Sequence, residues 1–274
     1  MLNYDILYVM KKFKITNYVI NLDGGRYSLT QPLRLIMLSD LHNCVYGNNN
    51  ESLVQAVKEV QPDGIIIAGD MVTSSVHERE TIAVSLLQRL VKICPVFYGN
   101  GNHEYRMKMN TGVFGTRYLH YLDALRKAGI HVLENEHIHW QAHGLKMNIH
   151  AFELPDYYYR RIVTRRLSMD EIQKSLGLAE EEPFQILIAH NPAWFPVYAR
   201  WGADLTFSGH LHGGFLRLPL LGGIISPQFE LFPKYDKGLF TQGRHRLIVG
   251  AGIGNHSFIP RINNPPELVL VELK

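Results

Sequence analysis

The feature of this sequence that most constrains its fold is a short apolar segment that ends abruptly in an acid and a histidine. Residues 33–38 are almost entirely apolar, and Asp40 and His42 follow directly. An apolar run of this length predicts a buried strand. Because alternate side chains of an extended chain point the same way, both side chains are expected to leave the strand end on one side. Open α/β sheets place their sites beyond the carboxyl ends of strands, so this pair is a candidate for a divalent-metal site.

Two further strand–helix units follow, and each brings metal-competent side chains to the end of its strand. Residues 48–50 are predicted to cap an amphipathic helix, and the apolar residues 65–68 then predict a second strand that ends at Asp70. Helical spacing returns, and a third short strand precedes Asn102 and His103. Since the carboxyl ends of neighbouring parallel strands meet at one edge of a sheet, these side chains are expected to converge.

The rest of the chain consists mostly of predicted strands, two of which end in histidines. His190 follows the apolar residues 184–189, and His210 and His212 follow residues 205–207. The other predicted elements are a helix at 117–128, strands at 130–133, 137–141 and 145–152, a helix from the capping box at 168–171 to Gly177, and strands at 246–249 and 267–273. An alternating first half and a strand-rich second half predict two packed sheets with helices outside them.

Composition bounds the class of protein. The 274 residues contain no internal repeat or linker, which predicts a single domain over residues 1–274, with an N-terminal strand and lead-in at 1–32 and a core at 33–274 that carries the strand-end residues. A net charge of +3 is too small to predict a nucleic-acid partner. Two cysteines favour a reducing, cytoplasmic compartment. Residues 1–10 lack the features of a signal peptide, and no stretch approaches the ~20 apolar residues of a membrane span.

The polar residues at the strand ends form one predicted metal-binding set. Its members are Asp40, His42, Asp70, Asn102, His190, His210 and His212. Two carboxylates, one amide and four imidazoles are too many ligands for one ion but suit two. Nitrogen and oxygen ligands without thiolate favour manganese, iron or zinc over a structural zinc site. Two ions ~3.5–4 Å apart need a bridging anion, for which Asp70 is the most central residue, and they acidify the water between them.

The order of these motifs resembles that of a known family. The blocks Asp40-x-His42, Gly69-Asp70, Gly101-Asn102-His103-Glu104, His190 and Gly209-His210-x-His212 resemble the five ordered blocks of the calcineurin-like metallophosphoesterases. Residues 232–235, Arg261 and residues 265–267 resemble a bacterial, phosphodiesterase-like branch. The resemblance extends from residue 33 to the C-terminus. It implies a four-layer α/β/β/α sandwich of two mixed sheets flanked by helices.

The resemblance also implies a role for each residue. Asp40, His42, Asp70 and His212 would hold one ion, and Asp70, Asn102, His190 and His210 would hold the other, with manganese preferred over iron or zinc. His103 would face the phosphoryl group as a general acid or an electrostatic stabiliser. The implied activity is hydrolysis of a phosphate ester, a diester rather than a monoester, by attack of a metal-bridging hydroxide. A non-catalytic metal-binding scaffold and a nuclease are the alternatives.

The sequence departs from the family pattern at one position. Many members continue the second block as Gly-Asp-x-x-Asp, and the second Asp orients the catalytic histidine. Here Thr73 stands at that position and supplies no charge. What orients His103 is therefore open, whereas the metal assignment is unaffected.

Two other groups of residues are candidate sites with competing interpretations. His137 and His139 share a strand face, near His131, His143 and His150; a second metal site is one interpretation, but a solvated face is favoured because no acid recurs at ligand spacing. The other group is Tyr157-Tyr158-Tyr159-Arg160-Arg161, with Arg165 and Arg166. It has three interpretations: a clamp for a phosphate-bearing substrate, a contact with anionic lipid, or the half-exposed start of a helix whose tyrosines point inward. The expected partner is a small phosphoester, with a lipid- or envelope-linked substrate and peripheral membrane contact as alternatives. No obligate protein partner is expected.

Overall fold

Two mixed sheets carry most of the strands in the described part of the chain. The computed structural model describes residues 9–10, 12–22, 26–78, 80–160, 165–214, 217–218, 222–223, 232–254 and 261–274. The strands of the two sheets are β1 Lys14–Ile20, β2 Leu33–Leu38, β3 Gly64–Ala68, β4 Val96–Gly99, β5 His131–Leu133, β6 His137–Ala142, β7 Leu145–Ala151, β8 Phe184–Ile188, β9 Leu205–Ser208, β10 Gly238–Gln242, β11 His245–Val249 and β12 Glu267–Leu273. Two short ladders pair Val9–Met10 with Val45–Tyr46 and Arg217–Leu218 with Gly222–Gly223.

The helices lie between these strands in the chain. They are α1 Glu51–Val60, α2 Thr81–Leu90, α3 Asn102–Met109, α4 Thr111–Phe114, α5 Arg117–Lys127, α6 Met169–Leu176 and α7 Phe195–Trp201, with 3₁₀ turns at Asp156–Tyr159 and Pro192–Trp194. The predicted capping box is confirmed at α6, where the Glu171 N–H donates to Oγ of Ser168 and the Glu171 carboxylate accepts the N–H of Ser168. Among the described residues, none of the helices has the length and apolar character needed to span a bilayer.

Both sheets are mixed, as the resemblance implied. The first has the order β1-β12-β2-β3-β4-β5, in which β2 to β5 run parallel and β12 is antiparallel to β2. The second has the order β10-β11-β9-β8-β7-β6, in which β11, β9, β8 and β7 are parallel and each edge strand is antiparallel to its neighbour. The parallel strands of each sheet therefore end at a common edge.

Three apolar layers separate the sheets and helices. In β2, Leu35 and Met37 pack between the sheets, whereas Ile36 and Leu38 pack against the helices on the other side. Burial on both faces explains why this strand reads as a continuous apolar run and not as an alternating one. A third cluster joins the outer face of the second sheet to α6 and α7. The resulting order of layers, α/β/β/α, confirms the predicted fold class.

Several elements were absent from the sequence prediction. They are α3, α4, α7 and β10. α3 lacks an apolar stripe because its buried residues include the polar Asn102 and Glu104, and α7 lacks one because it is buried almost all round. The predicted cap of α1 was wrong in its chemistry. Asn50 is the N-cap, but its side chain accepts the backbone N–H of Tyr46 instead of one from the helix (2.8 Å).

The two sheets approach each other closely at Gly99 of β4. A Cβ placed on Gly99 would lie 2.6 Å from Cγ2 of Ile188 and 3.2 Å from Cβ of Ala151. These neighbours belong to β8 and β7 of the second sheet. The missing side chain of Gly99 is therefore what allows the second sheet to pack at this distance.

The close approach at Gly99 gives a stability prediction. Gly99→Ala should lower the free energy of unfolding by ~1–3 kcal/mol, because an extra methyl group overpacks a dense interior. Urea denaturation of the parent and the variant measures the loss. The control is Gly112→Ala in α4, where a Cβ would meet nothing within 4 Å. Unchanged stability of Gly99→Ala, or an equal loss in the control, would contradict the packing argument.

Candidate active site

The residues predicted to bind metal lie together at the edge where strands of both sheets end. They are Asp40 and His42 after β2, Asp70 after β3, Asn102 at the start of α3, His190 after β8, and His210 and His212 after β9. Side chains from the two sheets approach each other here, since Oδ1 of Asp40 lies 3.8 Å from Nε2 of His190. His103, the predicted catalytic residue, lies beside them with Nε2 at 3.9 Å from Oδ2 of Asp70.

The nitrogen and oxygen atoms form two groups that meet at Asp70. In the first group, Nε2 of His212 is 3.2 Å from Nε2 of His42 and 3.5 Å from Oδ1 of Asp40. In the second, Nε2 of His190 is 3.1 Å from Oδ2 of Asp70. His210 offers a ring nitrogen within 4.8 Å of ligand atoms of both Asp70 and His190. Because Oδ2 of Asp70 also lies 4.0 Å from Nε2 of His42, this carboxylate stands between the two groups.

Most of these residues share an unusual backbone conformation. Positive φ angles occur at Asp40 (53°), His42 (47°), Asp70 (56°), His210 (72°) and His212 (51°). Side-chain residues seldom adopt this left-handed region, and such positions concentrate at functional sites. The extended-chain argument for Asp40 and His42 was therefore wrong, although the two residues do meet. Asn102 and His103 are not extended either, because they lie in the first turn of a helix.

Two observations test whether divalent ions fit these atoms. His190 donates its Nδ1–H to the carbonyl of Ala68 (2.6 Å), so Nε2 is the ring nitrogen that faces the carboxylate of Asp70 and is available to a proton or a metal ion. Two acceptors 3.1 Å apart repel each other unless a proton or a cation lies between them. Oδ1 of Asn102 is buried and has no hydrogen-bond partner among the described residues. A buried oxygen without a donor is destabilising, and a cation would satisfy it, so the residues fit the ions.

The buried carboxylates differ in their electrostatics. Burial raises the pKa of Asp40 to about 6, and the neighbouring Asp70 adds to the rise. Burial acts in the same direction on Asp70, but His190 and His103 outweigh it and hold the pKa of Asp70 well below its ordinary value. Asp70 is therefore the more readily ionised of the two carboxylates.

Glu104 is a structural residue of the site for which the sequence argument gave no role. Its buried carboxylate accepts the backbone N–H groups of Asp70 (3.0 Å), Met71 (2.9 Å) and Gly101 (3.0 Å), and the hydroxyl of Tyr98 (2.7 Å). It thereby ties the turn after β3 to the turn after β4. Its place in the Gly101-Asn102-His103-Glu104 block was the available signal. Burial raises the pKa of Glu104 to about 7.

Ser74 orients His103, which answers the question raised by Thr73. Nδ1 of His103 accepts the backbone N–H of Ser74 (2.8 Å) and lies 2.9 Å from its Oγ, to which Arg106 donates (3.0 Å). The hydroxyl of Thr73 instead donates to Glu78 (2.6 Å). Because a backbone N–H can only donate, Nδ1 of His103 is the acceptor. The proton of the neutral ring is then on Nε2, the nitrogen nearer Asp70.

The described part of the tyrosine–arginine segment at 157–166 and Arg261 both lie against well-defined neighbours in the structure. Tyr158 and Tyr159 are buried, and Arg165 lies against Glu171 (2.9 Å) and over the ring of Tyr157. The inward packing of these tyrosines agrees with the structural interpretation of the segment, whose residues 161–164 lie outside the described residues. Arg261, cited for the bacterial branch, donates from Nη2 to Nδ1 of His212 (2.8 Å) and so orients that ring.

Comparison with known proteins gives the family. The sequence model of the calcineurin-like phosphoesterases matches residues 33–214, more than half of the chain, and contains every predicted site residue. This chain belongs to the calcineurin-like phosphoesterase family. It is accordingly a metal-dependent phosphoester hydrolase, and its two sheets with flanking helices agree with that assignment.

Three relatives show how far the likeness extends. The metallophosphoesterase YkuE of Bacillus subtilis is 24% identical over 249 residues, covering 88% of this chain and 79% of YkuE. Phosphodiesterase YaeI of Escherichia coli is 25% identical over 246 residues, covering 88% of this chain and 82% of YaeI. A transmembrane protein with a metallophosphoesterase domain from Danio rerio is 29% identical over 250 residues, covering 88% of this chain but 53% of that protein.

The hydrogen bonds of Glu104 give a second prediction. Glu104→Gln should lower the free energy of unfolding by ~1–3 kcal/mol, because an amide NH₂ replaces an acceptor that faces several backbone N–H groups. Chemical denaturation at a fixed manganese concentration measures the change. The matched control is Glu59→Gln on the exposed side of α1, which should change little. Similar stabilities of the two variants would refute the role given to Glu104.

Proposed function

We propose that this hydrolase cleaves a phosphodiester with the help of two divalent ions, manganese first and iron or zinc as alternatives. The observation that carries the proposal is the sharing of Asp70. One group of nitrogen and oxygen atoms comes from Asp40, His42 and His212, and another from Asp70, His190 and His210. Because Asp70 also approaches His42, each group supports one ion and the shared carboxylate supports both. Asn102 adds a neutral oxygen to the second group.

The chemistry is divided between the ions and the side chains. When bound, the ions would supply Lewis acidity and a water of lowered pKa. Asp40 and Asp70 supply the negative charge that holds the two ions against their mutual repulsion, and the histidines complete the two groups. The backbone held by Glu104 presents Asp70 in one orientation, so little reorganisation is required when substrate arrives.

His103 is proposed to act on the leaving group or on the phosphoryl oxygens. The N–H of Ser74 holds Nδ1 as an acceptor, which leaves the Nε2–H directed toward the site. A donor in this position can protonate the departing alkoxide as the P–O bond breaks. It can also donate a hydrogen bond to a phosphoryl oxygen as negative charge develops there.

The substrate is proposed to be a small phosphodiester. The name of YaeI, a phosphodiesterase similar over most of both chains, supports the diester. The net charge of +3 argues against a nuclease that grips duplex nucleic acid. The presence of all seven ligand positions and His103 argues against a scaffold that has lost turnover.

Hydrolysis of bis-p-nitrophenyl phosphate tests the activity itself. Chelated protein should be inactive, and added manganese should restore p-nitrophenolate release. If the protein binds two manganese ions but releases no p-nitrophenolate from this diester, the result would support the non-catalytic scaffold. Preferential cleavage of DNA over small diesters would favour the nuclease.

The shared ligand makes a prediction about metal content. Asp70→Ala removes a ligand from both ions, whereas His212→Ala removes one from a single ion. After identical exposure to manganese, elemental analysis should therefore find less metal in Asp70→Ala than in His212→Ala. Exposed His120 provides the control, because His120→Ala should keep the parental content. Equal, full manganese occupancy in Asp70→Ala, His212→Ala and His120→Ala would contradict the two-ion assignment.

The role of His103 predicts a dependence on the leaving group. His103→Ala should keep both ions and lose ~10²–10⁴-fold in kcat on an alkyl ester, which needs a proton on its leaving oxygen. The loss should be smaller on a p-nitrophenyl ester, whose leaving group needs none. Equal losses on both esters would instead assign charge stabilisation to His103.

Two further outcomes complete the His103 experiment. Ser74→Ala is the matched control, because it keeps the backbone N–H that orients the ring and should retain most of the activity. Loss of metal together with the imidazole would show that His103 is a ligand. Parental activity of His103→Ala on the alkyl ester would remove it from catalysis.

A further inference from the structure

Three histidines meet on the outer face of the second sheet, away from the strand-end site. His137 and His139 are alternate residues of β6, and His150 of β7 is directly opposite His137 in the antiparallel register. The ring centroid of His137 lies 4.8 Å from that of His150 and 5.0 Å from that of His139. His137 and His139 are exposed, whereas His150 is only 4% exposed.

The proton position on His150 follows from its neighbour Gln185. Nε2 of Gln185 donates to the carbonyl of Pro183 (2.7 Å), so its Oε1 is the atom that faces His150. Nε2 of His150 lies 2.8 Å from this oxygen and donates to it. The lone pair of the neutral ring is therefore on Nδ1, which is buried and has no hydrogen-bond partner among the described residues.

His139 is held in the same manner by a second amide. Nδ2 of Asn148 donates to Glu180 (3.2 Å), so Oδ1 of Asn148 faces His139 and accepts its Nδ1–H (2.5 Å). The lone pair of His139 is then on Nε2. Histidines that bind metals characteristically donate their other ring N–H to an oxygen, which fixes the ring and keeps the ligand lone pair available.

We propose that His137, His139 and His150 form a binding site for one divalent transition-metal ion of the zinc class, separate from the ions of the active site. Neutral imidazoles are preferred ligands of such ions, and three of them leave a fourth coordination position open. The ring nitrogens of the three do not lie within 4.8 Å of one another in the described structure. Binding therefore requires a side-chain rotation, which the exposed ring of His137 can make toward the lone pairs of His139 and His150.

The environment of His150 favours this occupant. Burial lowers the pKa of His150 to about 4, which agrees with the neutral ring that its hydrogen bond to Gln185 indicates. No acid recurs at ligand spacing in this segment, which is why the sequence alone favours a solvated face. Two amides, from Asn148 and Gln185, provide the supporting oxygens instead. The inference does not depend on the proposed phosphodiesterase activity.

Zinc stoichiometry tests the proposal on the whole chain. Parent, His137→Ala/His139→Ala and His120→Ala are stripped with chelator, dialysed against zinc at equal free concentration, and analysed for zinc per chain. The parent and His120→Ala should each bind one more zinc than the double variant. Because both substituted rings are exposed, all three proteins should show the same thermal unfolding without metal, and the same manganese-dependent hydrolysis of bis-p-nitrophenyl phosphate.

Each outcome decides the proposal. A difference of one zinc between the parent and the double variant, with full binding by His120→Ala, supports the site. Equal zinc in the parent and the double variant overturns it. A loss of the same size in His120→Ala also overturns it, because the zinc would then be bound by exposed histidines in general. A failure of the diester assay with the zinc difference intact would affect the proposed function alone.

Discussion

The carboxylate of Asp70 is the interaction on which the geometry of the site depends, because it reaches both sheets. Its Oδ1 accepts the N–H of His103 (2.9 Å), and its Oδ2 lies 3.1 Å from Nε2 of His190 and 4.0 Å from Nε2 of His42. These partners come from three different strand ends. Glu104 accepts the backbone N–H of Asp70, so the carboxylate is anchored before any ion binds. Without that anchor, a residue with a left-handed backbone conformation after a strand would not be held in one orientation.

The packing of the two sheets therefore determines the geometry of the site. The close contact between Gly99 and Ile188 occurs just before the chain reaches Asn102 on one sheet and His190 on the other. The apolar layer between the sheets sets how far apart those two side chains stand. A substitution in that layer would displace residues of the site, because a dense interior transmits small displacements.

The sequence predicted the architecture and the residues that meet at the candidate site, but not the reasons for their geometry. Buried strands were visible because β2 and β3 are apolar on both faces, and their polar ends identified the site. The left-handed turns at Asp40 and Asp70 were invisible, since a period of two describes only extended chain. The contacts of Glu104 and Ser74 were also missed, because each joins segments whose proximity exists only after the sheets have packed.

The histidines show why residue type alone cannot assign a role. His190 and His150 are both buried, and burial lowers the pKa of each. Asp70 reverses the effect at His190 and raises its pKa to about 10, whereas His150 faces the neutral amide of Gln185 and has a pKa of about 4. A metal ion must displace a proton from an imidazole whose pKa a carboxylate has raised, whereas protons compete little for a buried imidazole beside a neutral amide. The absence of an acid is therefore no argument against a metal ligand, provided that a neutral oxygen fixes the ring.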